Sequence, residues 1–312
     1  MQTPLVSVIC LCYNQASYVR ESLQSALEQD YDALQIIVVD DGSTDGSKTV
    51  IQEFLKSHPE IPFMDLPHNL GNTTAFNQGL KNATGKYVID LACDDVMLVD
   101  RISKQVAFFE SQDDRVGVIY SDAEYIDDKG SFLKSHFKDG KYVAYQGDVY
   151  EKLIDTYFIP PPTMMMRKAV LDELGGYDES LAYEDFDFWI RSSRNWQYAY
   201  QNETLTKIRL LETSHSSNLY SKGDRKLYST VLICEKIMKL NRLEGENNAL
   251  ANRLKYELRH AFLMGRKLEV GLLISMLKGL EQKGVVYRLF GILNFGINLK
   301  YIRRLVHLIK YR

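Results

Sequence analysis

The sequence predicts an α/β protein: a mostly parallel sheet flanked by helices, followed by a helical C-terminal extension. Three observations carry this expectation. Short apolar, β-branched runs alternate with helical stripes through the first half of the chain, the pattern of parallel strands joined by crossover helices. From about Ser221 onward the pattern is helical and contains no Pro. The charge divides at the same place. Residues 1–220 hold 19 basic and 34 acidic groups, a net of −15, and residues 221–312 hold 19 basic and 7 acidic, a net of +12. The total of −3 over 312 residues is thus a cancellation. It marks two parts, 1–220 and 221–312, with different partners.

The elements follow in order. Leu5 to Cys12 is a short apolar run, as expected of a strand buried on both faces. Tyr18 to Gln29 carries a helical stripe at Val19, Leu23, Ala26 and Leu27. Leu34 to Val39 is a second strand, Asp40-Asp41-Gly42-Ser43 a turn, and Ser47 to Leu55 a helix. Ile61 to Leu66 is a third strand and Thr73 to Ala83 a helix stopped by Gly85. Tyr87 to Leu91 is a fourth strand, Asp100 to Glu110 a helix, and Val116 to Tyr120 a fifth strand. Asp122 to Gly147 reads as loops or a small hairpin. Pro160-Pro161-Pro162 forbids helix and introduces a short strand, Thr163 to Met166. A helix from near Lys168 ends at Gly175-Gly176, and Asp185 to Arg194 is another. In the C-terminal part, Gly265, Gly271, Gly279, Gly284, Gly291 and Gly296 punctuate several shorter helices.

Composition and motifs exclude much. The chain is 45% hydrophobic and 25% charged, which is globular rather than disordered. Cys10, Cys12, Cys93 and Cys234 form no CxxC pair, and Cys10 and Cys12 fall on one face of a strand. Buried thiols in a reducing compartment are expected rather than a zinc site. Met1 to Pro4 has no basic leader and no run is long and apolar enough to span a bilayer, so a cytoplasmic chain is expected. GxGxxG after the first strand, GxxxxGK[ST] and GxSxG are all missing. Dinucleotide-binding, P-loop and α/β-hydrolase readings therefore lose their support.

In open α/β sheets, ligands bind at the carboxyl ends of the strands. Those ends carry Tyr13 and Asn14 after the first strand, Asp40 and Asp41 after the second, and Asp94 and Asp95 after the fourth. Read singly, Asp40-Asp41-Gly42-Ser43 is also turn chemistry and Asp94-Asp95 a helix-start signal. Together they make one cleft whose carboxylates need a cation. A divalent ion, Mn²⁺ or Mg²⁺, held by one or two carboxylates and substrate phosphates suits this. A second constellation is Glu184-Asp185-Phe186-Asp187-Phe188-Trp189. Phe186, Trp189 and Ile190 can anchor a helix and hold a carboxylate at its start. Acidic capping of the helix dipole is the alternative reading.

These pieces resemble the glycosyltransferase family 2 of GT-A fold. The resemblance covers roughly residues 5–210 and rests on pieces in the family's order. They are Ser7-Val8-Ile9 to Tyr13-Asn14; Ile37 to Asp45 with Asp40-Asp41-Gly42-Ser43; Asn69-Leu70-Gly71; Ala83-Thr84-Gly85-Lys86-Tyr87; Asp94-Asp95; Arg101 to Gln105; and Glu184-Asp185 with Asp187 and Trp189. The resemblance implies inverting transfer of a sugar from a nucleotide-sugar, UDP-sugar foremost, to a hydroxyl of a saccharide or lipid-linked saccharide, in cell-surface polysaccharide or glycan biosynthesis. It implies nucleotide contacts by Tyr13, Asn14, Asp40, Asp41, Asn69, Gly71 and Asp94. Asp41 would accept from a base N–H. It implies metal contacts by Asp94, Asp95 and His215. Asp185 would be the general base, with Glu184 beside it. Many members read Asp-x-Asp-Asp where this chain reads Ala92-Cys93-Asp94-Asp95, so which Asp meets the metal stays open. A sugar nucleotidyltransferase would need a Gly-rich basic loop after the first strand, where Cys12-Tyr13-Asn14-Gln15-Ala16 stands. A non-catalytic saccharide-binding protein would have no use for this set of carboxylates.

At the C-terminus, Lys300, Arg303, Arg304, His307 and Lys310 fall on one face of a helix, and Tyr301, Ile302, Leu305, Val306, Leu308 and Ile309 on the other. This basic amphipathic pattern suits peripheral contact with the cytoplasmic face of a membrane, or packing in a homo-oligomer. No nucleic-acid motif accompanies it, so no nucleic-acid partner is expected.

Overall fold

Residues 3–211 and 225–281 are described by a computed structural model. His215 and the amphipathic stretch 300–312 lie outside the described residues. The chain divides into two compact units. The first comprises Met1–Val149, Phe158–Ser180 and Asp187–Glu212; the second comprises Tyr150–Tyr157, Leu181–Phe186 and Thr213–Arg312. Residues 150–157 and 181–186 therefore group with the C-terminal helices, which a division at residue 220 does not anticipate.

Among the described residues the first unit holds nine strands: β1 Val6–Cys12, β2 Leu34–Asp40, β3 Phe63–Asp65, β4 Tyr87–Ala92, β5 Val96–Met97, β6 Val116–Ile126, β7 Phe132–Ser135, β8 Met165–Arg167 and β9 Gln197–Arg209. Their order in the sheet is β3-β2-β1-β4-β8-β6-β9-β5, with β7 paired to β6. The N-terminal four strands are parallel to one another. β8 runs antiparallel to both of its neighbours, β4 and β6, so the sheet is mixed. Helices α1 Val19–Leu27, α2 Ser47–Leu55, α3 Asn72–Leu80, α4 Arg101–Glu110 and, later, α6 Lys168–Leu174 and α7 Glu184–Ser192 connect the strands. α5, Tyr150–Asp155, belongs to the second unit.

β1 is buried at every position, as its unbroken apolar run requires. Val6, Val8, Cys10 and Cys12 share one core with Leu23 of α1, Ile51 of α2 and Phe109 of α4. The other face meets α3 closely. A Cβ on Gly79 would sit 2.6 Å from Cγ2 of Ile9 and 3.2 Å from Cγ2 of Val39, so glycine permits this helix–sheet approach.

The N-terminal strands and helices lie within a few residues of expectation. Further on, two differences stand out. β6 continues past Tyr120 to Ile126 because β9 pairs with it in parallel, with bulges around Asp122. The segment after it contains β7, antiparallel to β6, which makes the small hairpin expected there. Thr163 does not begin a strand. Pro161–Thr163 forms a 3₁₀ turn closed by Thr163 N–H and Oγ–H donating to Pro160 O at 3.0 and 2.8 Å, and strand pairing begins at Met165.

The described residues of the second unit are mainly helical. α8 Lys226–Leu240, α9 Glu244–Met264 and α10 Lys267–Gly279 pack on one another, and α5 packs on α9. Gly265 ends α9 with φ +73°, the left-handed stop that glycine supplies. Among the described residues no helix is long and apolar enough to cross a membrane.

Candidate active site

Strand register assembles the site. β1 and β2 pair residue for residue from Val6↔Leu34 to Cys12↔Asp40, and β1 and β4 from Val6↔Tyr87 to Leu11↔Ala92. All three parallel strands thus end level. Tyr13-Asn14, Asp41 and Cys93-Asp94 emerge along one edge of the first unit.

Three turns are stitched together there. Asp41 N–H donates to Cys12 O at 2.8 Å. The Asp41 carboxylate accepts Leu70 N–H at 2.7 Å and Gly71 N–H at 3.0 Å. Burial pushes the Asp41 carboxyl up, and these two N–H groups oppose it. Gly71 has φ +93°. Gly42 has φ +69°, and a Cβ there would fall 2.4 Å from the His68 carbonyl carbon. Only glycine lets the two loops close this tightly. Asp40 is fully buried and accepts Ser43 N–H at 3.0 Å and Ser43 Oγ–H at 2.5 Å. It builds the turn. Asn14, at φ +55°, accepts Thr44 N–H at 2.8 Å and donates its own N–H to Ser43 Oγ at 2.9 Å. Tyr13, Asn69 and Leu70 remain exposed at this edge, as surfaces on which a flat ring can rest.

Asp94 and Asp95 differ in burial. Asp94 is half-buried, whereas Asp95 is 3% exposed. Oδ1 of Asp95 accepts the main-chain N–H of Arg209 at 2.8 Å. Burial and then the Asp94 charge push the Asp95 carboxyl well up, with Arg209 and Arg101 opposing. Arg101 is itself buried; that burial draws its guanidinium down to about 9, and Asp95 opposes it. Arg209, at the end of β9, clamps this turn. Its Nε donates to Asp94 O at 3.0 Å, Nη1 to Asp127 O at 3.0 Å and Nη2 to Glu21 Oε2 at 2.6 Å. Its guanidinium lies 4.7 Å from the Tyr18 ring centroid. Its side chain is 2% exposed, and its donors are spent on the protein.

The four cysteines are free and buried. The thiol contact with Cys12, followed by burial, pushes the Cys93 thiol well up, and burial does the same to Cys10. Neither is a thiolate near neutral pH.

Glu184 and Asp185 form the first turn of α7 and are half-buried. Phe186, Trp189 and Ile190 of this helix are buried, as the spacing predicts, and so is Phe188. Asp187 is also buried, and its Oδ2 accepts Arg191 Nε at 2.6 Å. Arg191 also donates to Leu174 O at 2.9 Å and Gly176 O at 3.0 Å. Carboxylates at a helix N-terminus are favoured by the dipole.

The residues fit a divalent ion shared with a substrate. Asp94 is a partly exposed carboxylate at a strand end, and Asp95 is engaged inward. Among the described residues no group of three or more His, Cys, Asp or Glu gathers as an all-protein metal cage. One or two carboxylates completed by phosphate oxygens is the usual Mg²⁺ arrangement.

A mixed sheet with acidic turns at the carboxyl ends of its parallel strands defines an α/β protein of GT-A type. Solved structures agree in fold. The chain is similar to S. aureus TarS 1-349 in complex with UDP-GlcNAc, with TM-score 0.68 and 20% identity over 93% of this chain and 89% of that one. It is also similar to the mannosyltransferase PcManGT of Pyrobaculum calidifontis, in complex with GDP-Man and Mn²⁺, with TM-score 0.60 and 18% identity over 100% and 89%. The Glycosyl transferase family 2 model matches residues 7–175, more than half of the chain, which therefore belongs to glycosyltransferase family 2. An uncharacterised glycosyltransferase of Rickettsia prowazekii is 33% identical over 209 residues, covering 67% of this chain and 64% of that protein's length. A putative teichuronic acid biosynthesis glycosyltransferase of Bacillus subtilis, TuaG, is 38% identical over 105 residues, covering 34% of this chain and 42% of its own length.

Proposed function

We propose that this chain transfers a sugar, with inversion, from a nucleoside-diphosphate sugar to a hydroxyl of a saccharide or lipid-linked saccharide. One observation carries the reading: the level ends of β1, β2 and β4 bring Tyr13, Asn14, Asp41 and Asp94 to one edge. UDP-sugar is the favoured donor class. The ligands of TarS and PcManGT support a nucleotide-sugar, and the likeness to TuaG supports a cell-surface polysaccharide as product.

Tyr13 and Leu70 sandwich the base while Asp41 orients it; each of its oxygens retains a lone pair beside the main-chain bond it accepts. Asn69 and Gly71 line the same loop, and Asp40 and Asn14 keep the turns in place. Asp94 is the metal ligand, with His215 as a second candidate. When bound, Mn²⁺ or Mg²⁺ supplies positive charge to the departing diphosphate. Asp95 and Arg209 hold the Asp94 peptide. Asp185 takes the acceptor hydroxyl's proton as that oxygen attacks the anomeric carbon opposite the diphosphate, and Glu184 supports it. A single base suffices because the leaving diphosphate needs no proton. The stretch 300–312 brings the enzyme to the cytoplasmic face of an anionic membrane, where a lipid-linked acceptor resides.

A thermal-shift panel of UDP- and GDP-sugars with and without Mn²⁺ tests this. A ligand bound only by the folded chain raises the midpoint. The expected result is a rise of several degrees with one nucleotide-sugar and Mn²⁺, abolished in Asp94→Asn. An Asp94→Asn response equal to wild type contradicts the donor assignment.

A further inference from the structure

We propose that the C-terminal helices are part of the catalytic apparatus: Arg253 of α9 and Ser229 of α8 position the Glu184–Asp185 turn. The inference rests on the reading of Asp185 as the base and goes beyond it.

Leu181–Phe186 belongs to the same compact unit as α8, α9 and α10. Two anchors hold it there. Ala182 N–H donates to Ser229 Oγ at 2.8 Å. Phe186, one residue after Asp185, is fully buried and lies 4.8 Å from the Tyr157 ring at an interplanar angle of 77°. Tyr183 meets Tyr157 at 5.4 Å and 66°. Arg253 lies under this aromatic group. Its guanidinium is 4.0 Å from the Tyr157 centroid and 5.5 Å from that of Phe186.

Arg253 is fixed on its own account. It is 4% exposed. Nε donates to Ile154 O at 2.9 Å and Nη2 to Asp155 O at 3.0 Å, at the C-terminal end of α5. Nη1 pairs with the buried Glu257 one turn along α9 at 3.4 Å. A planar, forked cation makes these bonds and stacks at once; an ammonium cannot. Three elements, α5, α9 and the start of α7, therefore share one side chain.

The consequence for Asp185 is geometric. Successive residues of a helix differ by about 100° in direction. Fixing Phe186 fixes the direction of the Asp185 side chain. Fixing Ala182 fixes the chain entering the helix. A carboxylate displaced by about 1 Å costs roughly 100-fold in rate. Arg253 and Ser229 touch no substrate in this account; they are positioning residues.

The test compares the full chain with Arg253→Lys, Ser229→Ala and Asp185→Asn. The rate read is release of nucleoside diphosphate from whichever UDP- or GDP-sugar the wild type turns over. Affinity for that nucleoside diphosphate with Mn²⁺ is measured by calorimetry. The expected result is a fall in kcat on the order of 10- to 100-fold in Arg253→Lys, a smaller fall in Ser229→Ala, and unchanged nucleotide affinity in both. Ser229→Ala removes one hydroxyl and keeps the test open if Arg253→Lys does not fold. Wild-type kcat in the folded variants, with only a lowered thermal midpoint, overturns the inference and leaves the base reading intact. A loss of nucleotide affinity matching the loss of rate also overturns it. Wild-type turnover in Asp185→Asn removes the base reading, and this inference with it.

Discussion

Asp45 holds three donors: Ala16 N–H at 3.0 Å, Ser47 N–H at 2.9 Å and Ser47 Oγ–H at 2.5 Å. It thereby ties the loop carrying Tyr13 and Asn14 to the start of α2. Burial raises its carboxyl, but the Ser47 and Ala16 bonds outweigh this and hold it below the usual range. A carboxyl lowered in the folded state stabilises the fold above its unfolded value of about 4 and loses that contribution as pH falls through the folded value. Asp45→Asn should therefore lower the thermal midpoint at pH 5–7, and the gap to wild type should close as pH falls below about 4. A pH series of melts checks this; a gap independent of pH contradicts it. At this scale the placement of Tyr13, Asn14, Asp41 and Asp94 at strand ends was legible, because polar residues interrupt apolar runs there. Arg209 and Arg253 were not. Most of their partners are main-chain carbonyls of Asp94, Asp127, Ile154 and Asp155, which any residue supplies and no motif records.

The parallel strands were legible as elements because both faces are covered and the apolar run is unbroken. β6 was not, beyond Tyr120. Asp122 begins the stretch that reads as loops or a small hairpin, yet it and Ser121 are both buried. Ser121 N–H donates to Thr163 Oγ1 at 3.2 Å, and Asp122 Oδ1 accepts Ala123 N–H at 2.9 Å and Phe137 N–H at 2.8 Å. Tertiary partners, rather than propensity, keep that strand going. α3 makes a sharper prediction. Gly79→Ala gains about 1 kcal/mol of helix propensity. It also drives a methyl group against Ile9 and Val39, at 2.6 and 3.2 Å. Overpacking typically costs about 1–3 kcal/mol. The clash wins, and the denaturation midpoint in urea should fall. A raised midpoint would mean that α3 withdraws from the sheet without loss.

At the level of the whole molecule, the near-neutral charge of −3 conceals an acidic region and a basic one. The sequence division at residue 220 follows that charge. The compact units follow packing instead, and they assign Glu184 and Asp185 to the helical unit and the strand-end carboxylates to the sheet unit. Net charge is read from composition alone, whereas the grouping of 181–186 with α8 and α9 depends on the aromatic side chains around Arg253. That is why one was readable from composition and the other was not. The central claim is that donor recognition belongs to the ends of β1, β2 and β4 while the chemical step belongs to Asp185. The most direct measurement sets turnover of Asp185→Asn against its affinity for the donor nucleotide with Mn²⁺. The account predicts a loss of turnover of at least about 100-fold with nucleotide affinity unchanged. Turnover near wild type, or equal loss of both, would contradict it.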